Sequence, residues 1–446
     1  MALSPVCFAR VTTTIAEPAA PRPPLGFWTA VALVMGNMIG SGVFLLPASL
    51  APFGGLGLGG WLLSTAGAVL LALVFARLSR FNPAAGGPYA FTRAAYGDLA
   101  GFLVAWGYWI SVWCANAALA VAFVGYLDPF FPSIVRRPAS AAITAVGAVW
   151  FLTGVNALGV RSAGRMQIIT TAIKILPLAL IGLGGILWSD PTHFAIAAAG
   201  PRAIANGLTS SATLTLWAFL GLECATIPAG SIRDAARTIP RATVVGTLLT
   251  SFIYIVSTVG VIGLLEPSSL GQSTAPFADA ARVLFGDRAA EIVALGAAVS
   301  CFGALNGWIL IVGQLPMAAA KDGLFPGAFA RISPRGTPVT GMVIAAVLAT
   351  GLIAMNYTRS LVDLFTFVIL LATLSTLVPY TFCSLAGFIL ARHDPRMRMS
   401  PGTTATAALA FVYSLWAIGG AGADVVYWGF LLLLSGLPVY VWIKRA

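Results

Sequence analysis

The chain has 446 residues, of which 59 % are hydrophobic and only 9 % charged, and its mean hydropathy is +0.93. Because soluble domains carry about 25 % charged residues, this composition excludes a soluble cytosolic enzyme, a disordered protein and a secreted disulfide scaffold. It is typical of a polytopic helical membrane protein. The formal net charge of +11 does not indicate a nucleic-acid partner, since no basic cluster is interleaved with aromatic residues.

The length allows for roughly twelve transmembrane helices joined by short loops. In chain order we predict them at residues 27–50, 55–79, 97–127, 139–157, 166–188, 207–230, 241–265, 289–319, 337–356, 361–391, 403–420 and 424–443. Three of them, 97–127, 289–319 and 361–391, exceed one bilayer thickness, so they must tilt, break or extend into loops. Residues 1–24 lack an apolar core long enough for a cleaved signal, and we expect them to form a disordered cytoplasmic tail.

Most of the 25 Lys and Arg residues lie in alternate loops. The positive-inside rule assigns these basic loops and both termini to the cytoplasm, which requires an even number of spans. The basic loops include Arg77, Arg80, Arg93, Arg161, Arg165, Arg233, Arg237, Arg241, Lys321, Arg331, Arg335, Arg392, Arg396 and Arg398. The opposite loops contain Arg136, Arg137, Arg202, Arg282, Arg288 and Arg359. The net charge is therefore a signal of topology.

Two predicted helices carry a glycine interruption in mid-span. The first contains Gly40-Ser41-Gly42, and the sixth contains Gly221 with Glu223 beside it. These positions correspond if helices 1–5 and 6–10 are two copies of one unit, and paired interruptions of this kind indicate a transporter binding site. An unwound turn offers a half-helix N-terminus to a carboxylate and free carbonyls to an ammonium, the two groups of an α-amino acid. The alternative is that the glycines only permit close helix packing.

Four other features of the spans have both a functional and a structural interpretation. Glu223 is the one carboxylate placed deep in a span, where an ionisable group costs about 2.5–3.5 kcal/mol; it serves either transport or a structural hydrogen bond. Lys174, within an apolar run, either serves transport or snorkels from a helix end. Trp217 and Trp308 lie mid-span, where an indole can stack on a cationic substrate or pack in the core. The two histidines fall in distant loops, so we predict no metal site, and nothing indicates a cofactor.

These residues carry a resemblance to a known family. The stretch GSGVFLLP, residues 40–47, resembles the first helix of the amino acid–polyamine–organocation superfamily, and the likeness is closest to its bacterial arginine/agmatine antiporters. It extends from about residue 27 to 440 without large gaps. Further matching stretches are Gly86-Gly87-Pro88-Tyr89, Tyr108-Trp109, Leu216-Trp217, Gly221-Leu222-Glu223, Asp322-Gly323-Leu324-Phe325-Pro326 and Thr376-Leu377-Val378-Pro379-Tyr380.

The resemblance implies an all-α membrane protein with a LeuT-like fold. Such a fold has twelve transmembrane helices, a 5+5 inverted repeat and broken helices 1 and 6. The first five-helix repeat would cover residues 25–200, the second, inverted repeat 201–400, and helices 11 and 12 would lie in 401–446. The resemblance also implies alternating access, the bacterial inner membrane and, as is frequent in the superfamily, a homodimer.

The resemblance further implies which residues bind substrate. Ser41 and Gly42 are similar to the backbone turn that binds the substrate carboxylate, and Met38 belongs to the same expected set. Trp217 resembles the aromatic residue that stacks on the substrate side chain and helps to gate the site. Trp308 resembles the tryptophan that lines the side-chain end of the pocket.

At the side-chain end the sequence also departs from the family pattern. Asn116 resembles the polar helix-3 residue that contacts the guanidinium, and Ser111 and Ala372 would lie around it. Ala372 lacks a hydroxyl, and a hydrogen bond to a charged group is worth about 1.5–3 kcal/mol, so its loss would change which side chain is preferred. Lys174 resembles the helix-5 lysine of other branches, whose ammonium occupies the place of a cation in sodium-coupled relatives.

Coupling and gating residues follow from the same resemblance. Glu223 resembles a carboxylate tied to proton sensitivity and coupling, and Tyr89 and Tyr380 resemble gating tyrosines. The leading hypothesis is a secondary active antiporter that exchanges a cationic amino acid, arginine- or ornithine-like, for a related amino acid or its decarboxylated amine. The alternative is a broad or neutral amino acid transporter, proton-coupled through Glu223 and Lys174.

Two other classes of function are disfavoured. The spans contain no Ser/His/Asp set, metal-ligand cluster or carboxylate pair that would indicate a membrane-embedded enzyme. Paired broken helices fit a closed binding site better than the continuous polar wall of a channel. The expected partners are therefore a small amino acid or polyamine substrate and the lipid bilayer, without nucleic acid.

Overall fold

The computed structural model describes residues 25–83, 86–135, 137–196, 200–273, 275–356, 361–420 and 423–445. The tail predicted for residues 1–24 lies outside these ranges. Within them the secondary structure is helical, apart from turns and one isolated parallel bridge between Leu25 and Ile232. The predicted all-α class is thus confirmed for the described part of the chain.

The chain up to residue 216 contains nine α-helices among its described residues. They are α1 (Phe27–Met38), α2 (Ser41–Leu50), α3 (Gly55–Phe81), α4 (Pro88–Tyr96), α5 (Asp98–Gly125), α6 (Pro132–Val135), α7 (Pro138–Ala157), α8 (Val160–Leu187) and α9 (Pro201–Leu216).

The remainder of the described chain contains nine more α-helices. They are α10 (Ala235–Leu264), α11 (Pro267–Leu270), α12 (Pro276–Phe285), α13 (Asp287–Lys321), α14 (Val339–Asn356), α15 (Leu361–His393), α16 (Pro401–Gly420), α17 (Ala423–Leu434) and α18 (Leu437–Arg445).

Nine segments in the described ranges are long and apolar enough to cross a membrane. They are α3, α5, α7, Gly164–Leu187 of α8, α10, α13, Ala372–His393 of α15, α16, and Val426–Arg445 across α17 and α18. Helix α1 and Val339–Met355 of α14 are apolar but shorter. The chain is therefore a helical membrane protein.

Three predicted spans are interrupted in the structure. The segment 27–50 is interrupted, as expected, between α1 and α2, and the segment 424–443 is interrupted between α17 and α18. The prediction of a helix over 207–230 was wrong beyond Leu216, because the chain continues there as separate 3-10 turns. Irregular backbone at membrane depth is tolerated where neighbouring protein satisfies its polar groups. Here the Tyr254 hydroxyl donates to the Ala218 carbonyl (2.9 Å).

The long spans predicted around 97–127 and 289–319 form uninterrupted helices at the centre of the molecule. About 78 % of the most apolar part of α5 and 83 % of that of α13 is buried, against 22 % for α16 and 11 % for the last span. At 35 residues, α13 is longer than the roughly 20 residues that cross a bilayer. Helix α1, which ends at the first interruption, packs against α13.

Candidate functional site

The first helix break is a two-residue interruption of the backbone. Helix α1 ends at Met38, Ile39 has ψ 85° and Gly40 has ψ −144°, and α2 begins at Ser41. The Gly40 N–H donates to the Met38 carbonyl (2.9 Å), which closes a tight turn. The first N–H groups of α2 have no partner within that helix, as at any helix N-terminus.

The second break lies where α9 ends. A single 3-10 turn, Trp217–Phe219, follows α9, after which Leu220 is extended (ψ 132°) and Gly221 has φ +109°. A side chain at position 221 would be strained in this conformation, and its Cβ would lie 3.2 Å from Asn37 Cβ and 3.3 Å from Trp308. The two breaks are thus in contact through Gly221 and Asn37.

A cavity lies between the two breaks. Its interior volume of about 30 Å³ suits one or two water molecules rather than an amino acid. The lining comprises Asn37, Met38, Gly40, Ser41, Gly42, Ser111, Ala115, Leu119, Trp217, Leu220, Trp308, Ala372 and Thr376. All the predicted substrate-binding residues except Asn116 therefore lie around one cavity. Asn116 is buried nearby on α5, and its Oδ1 atom has no hydrogen-bond partner in the described part of the chain.

Two tryptophans cover the first break. A Cβ at position 42 would lie only 2.9 Å from Trp217 Cδ1, so the indole lies directly on Gly42 and no side chain fits between them. The Trp308 Nε1–H donates to the Asn37 carbonyl (3.3 Å), and its ring is 94 % buried. Trp217 is only partly buried, and a movement of its ring away from Gly42 would enlarge the cavity.

Ser111 and Thr376 connect α5 to α15 along the cavity wall. The Ser111 hydroxyl donates to the Ala372 carbonyl (2.7 Å) and lies 2.8 Å from the Thr376 hydroxyl, which donates to the same carbonyl (3.0 Å). Ala372 thus contributes a carbonyl already engaged by two hydroxyls. The sequence did not predict Thr376 or Asn37 as lining residues, because neither type stands out in an apolar helix.

Lys174 binds the carbonyl groups that the first break exposes. Its side chain is fully buried, and Nζ donates to the carbonyls of Gly36 and Ile39, at 2.6 Å each. The Ser300 hydroxyl also donates to Ile39 (3.2 Å). Lys174 therefore does not snorkel from a helix end. The sequence analysis expected free carbonyls at this break to bind a substrate ammonium. In the structure these carbonyls accept hydrogen bonds from Lys174 and Ser300 instead.

Glu223 is fully buried in the turn that follows the second break. The Tyr108 hydroxyl donates to Oε1 and the Tyr380 hydroxyl donates to Oε2. Tyr108 belongs to α5 and Tyr380 to α15, so the carboxylate joins three separate parts of the chain. Tyr108 was not among the predicted site residues, since its partner lies 115 residues away and no local pattern connects them.

Tyr89 belongs to a different network. Its hydroxyl donates to Asp322 Oδ2 (2.8 Å), which also accepts from Arg93 (2.9 Å). Arg93 also pairs with Asp98 (2.9 Å), and Lys444 of α18 pairs with Asp98 (2.7 Å). Burial and the acceptor Asp322 raise the pKa of the Tyr89 hydroxyl above its usual range, so it remains a donor.

Comparison with known proteins gives one family model and several relatives. The model described as "Amino acid permease" matches residues 25–438. A cadaverine/lysine antiporter of Escherichia coli is 35 % identical over 367 residues, which cover 80 % of this chain and 82 % of the relative. A putative arginine/ornithine antiporter of Bacillus subtilis is 33 % identical, covering 94 % and 97 %. The putrescine transporter PotE of Haemophilus influenzae is 31 % identical, covering 92 % and 94 %.

Proposed function

Because the chain belongs to the amino acid permease family, we propose that it is an antiporter of the bacterial inner membrane. It exchanges a cationic amino acid for a related amino acid or its decarboxylated amine by alternating access. The observation that carries this proposal is the cavity between the two helix breaks, lined by the α2 N-terminus and by Trp217 and Trp308. Relatives named as antiporters of lysine and cadaverine, or of arginine and ornithine, support the substrate class.

The fold that we propose has twelve spans and two inverted five-helix repeats, 25–200 and 201–400, followed by helices 11 and 12 in 401–446. Two matching helix–glycine–helix corners support it. In the first, the short helix α4 is followed by one glycine and then by the long central helix α5; in the second, α12 is followed in the same way by α13. Both short helices begin at proline. The two glycines, Gly97 and Gly286, have φ 86° and 84° and ψ −175° and −177°.

The same corners share an ion pair across the glycine. Arg93 Nε donates to Asp98 (2.9 Å), and Arg282 Nε donates to Asp287 (3.0 Å), each five residues along the chain. The positive-inside rule assigns Arg93 and Arg282 to opposite sides of the membrane. This is the relation expected of two repeats with inverted orientation, and both termini would then lie in the cytoplasm.

In the proposed binding mode, the substrate carboxylate lies at the α2 N-terminus. The N–H groups of Ser41 and Gly42 have no helical partner, and the positive end of the helix dipole favours an anion. The side chain of the substrate extends between Trp217 and Trp308, which offer ring faces to an ammonium or guanidinium. The unpartnered Oδ1 atom of Asn116 is an acceptor for that cationic group.

Glu223 is proposed as the coupling residue and Tyr380 as a gate. While the carboxylate accepts from Tyr108 and Tyr380, it holds the second break against α5 and α15. Protonation of the carboxylate would remove an acceptor and weaken that attachment. Tyr89 is proposed as a further gate, held closed by its hydrogen bond to Asp322.

A second candidate is a broad or neutral amino acid transporter coupled to protons. It is favoured by the cavity lining, which has no carboxylate in the part of the chain that the structure describes. It is also favoured by Lys174, whose ammonium already occupies the carbonyls of Gly36 and Ile39. In this alternative, proton exchange on Lys174 and Glu223 would drive transport.

Radiolabelled uptake into proteoliposomes distinguishes the two candidates. Arginine, ornithine, lysine, agmatine, putrescine, leucine and methionine are each offered to empty vesicles and to vesicles preloaded with unlabelled substrate. The antiporter predicts uptake of cationic substrates into preloaded vesicles only. Uptake of leucine or methionine into empty vesicles with an inward proton gradient would support the second candidate and contradict the first.

A further inference from the structure

A second cavity, of about 450 Å³, lies among α3, α15 and α16, apart from the site described above. This volume is within the range of about 300–1,000 Å³ that is usual for ligand clefts. The lining combines apolar side chains with one cation and several hydroxyl groups. It includes Leu73, Leu78, Gly387, Met399, Ser384 and Arg77.

The cavity carries a positive charge, Arg77, that no carboxylate of the described residues balances. Arg77 Nη2 donates to the carbonyls of Met397 (2.8 Å) and Arg398 (2.9 Å), and the guanidinium lies over the Phe81 ring, 5.4 Å from its centroid. Its buried Nε has no hydrogen-bond partner among the residues that the structure describes. Arg80 follows three residues later in α3, a spacing that places two side chains on the same face of a helix, where like charges repel. Neither arginine forms an ion pair with a carboxylate of the described residues. A bound anion would relieve the repulsion and satisfy Nε.

From this arrangement we infer that the cavity binds an anionic phospholipid. The phosphate lies at Arg77 and Arg80, and an acyl chain lies along the apolar side chains, of which Leu73 is 42 % exposed. Basic pockets between transmembrane helices suit anionic lipid headgroups. The orientation proposed above puts this end of α3 at the cytoplasmic leaflet, although the chemistry of the site does not depend on it.

The cavity is one helical turn away from the proposed gate. Ser384 lines the cavity and donates to the carbonyl of Tyr380 (2.8 Å). Phe75 of α3, close in sequence to the lining residue Val74, packs edge-on against the Tyr380 ring, with centroids 5.3 Å apart. A lipid held between α3 and α15 would therefore stabilise the segment that positions Tyr380 against Glu223.

Native mass spectrometry of the delipidated full-length protein tests this inference. The probe is dioleoyl-phosphatidylglycerol, and the comparison is dioleoyl-phosphatidylcholine, a zwitterionic lipid of zero net charge. We expect Arg77→Gln to weaken phosphatidylglycerol binding by about tenfold or more, the loss of one charged hydrogen bond. The matched control is Arg241→Gln, an exposed arginine near the start of α10 that does not line the cavity, and this variant should bind the lipid as the wild type does.

A second variant distinguishes a loss of lipid contact from a loss of folding in Arg77→Gln. Gly387→Leu keeps the bonds of Arg77 and fills the cavity, because the new Cβ would lie in ordinary contact with Met399 Sδ (3.7 Å). We expect a similar loss of lipid binding. Equal weakening in Arg241→Gln, or undiminished binding in Gly387→Leu, would overturn the inference. Binding of soluble glycerol 3-phosphate as tight as that of phosphatidylglycerol would also overturn the inference. A lipid-free dimer whose interface covers the cavity would overturn it as well.

Discussion

Lys174 and Glu223 are two fully buried ionisable side chains that do not pair with each other. The ammonium is satisfied by two carbonyls of the first break, and the carboxylate by two tyrosine hydroxyls beside the second. A buried charge persists only where such partners replace water. Each break is therefore attached to its surroundings through one ionisable group, and a change of protonation would alter that attachment.

For Glu223→Gln we expect substrate binding to persist while exchange falls and loses its dependence on pH. The amide has nearly the same shape as the carboxylate but neither its charge nor its ability to exchange a proton. Exchange is measured in proteoliposomes at acidic and neutral pH, with binding measured separately. Glu266→Gln, an exposed acid outside the site, is the control. An unchanged pH profile in Glu223→Gln would refute the coupling role.

For Lys174→Ala we expect a loss of thermal stability as well as of transport. The substitution leaves the carbonyls of Gly36 and Ile39 short of a charged donor, and each such bond is worth about 1.5–3 kcal/mol. Thr171→Val, which removes one neutral bond of 3.3 Å to Ala32, should cost only about 1 kcal/mol. Thermal unfolding in one detergent compares the two variants. A smaller loss for Lys174→Ala than for Thr171→Val would contradict this account.

At the scale of elements, each break depends on glycine. We expect Gly221→Ala to destabilise the protein by about 1–3 kcal/mol, because φ +109° is strained for any residue with a Cβ. The new methyl would also press on Asn37 and Trp308, so exchange should fall too. Gly230→Ala, in the same turn segment but with open space around its Cβ position, is the control. Equal stability of the two variants would be inconsistent with the observed backbone.

The sequence predicted these elements where a local signal existed. Gly40-Ser41-Gly42 predicted the first break because glycine destabilises the interior of a helix. Gly221 predicted the position of the second break but not the loss of helix after it. A buried helix and a buried series of turns have the same hydropathy, so hydropathy does not distinguish them. The turns are stabilised by hydrogen-bond donors far away in sequence, such as Tyr254, which no local pattern reveals. The short amphipathic helices α4 and α12 were missed because they are far too short to span a bilayer.

The candidate site was predictable to a similar extent. Seven of the residues that line the cavity were expected from the family resemblance, whereas others, such as Asn37 and Thr376, were not. The bonds that hold it were not, because they join positions far apart in sequence, as between Glu223 and Tyr380 or between Lys174 and Gly36. Only the packing of α5, α8 and α15 brings these groups together.

At the scale of the whole molecule, the alternation of basic loops predicts which side of the membrane each loop faces. We expect Arg335→Cys to react with a membrane-impermeant maleimide only after cells are lysed. Arg288→Cys should react in intact spheroplasts, since it belongs to the opposite set. Both positions are exposed, and the four described native cysteines are buried. The reverse labelling pattern would invert the proposed topology.

The central claim is that exchange proceeds through the cavity between the two breaks. Counterflow of labelled lysine or ornithine in preloaded proteoliposomes, with Trp217→Ala compared to Trp188→Ala, tests it most directly. Trp217 lies on Gly42 at the cavity, whereas Trp188 is 66 % exposed at the end of a span. The account predicts that Trp217→Ala loses saturable exchange and that Trp188→Ala keeps it. Wild-type exchange in Trp217→Ala would contradict it.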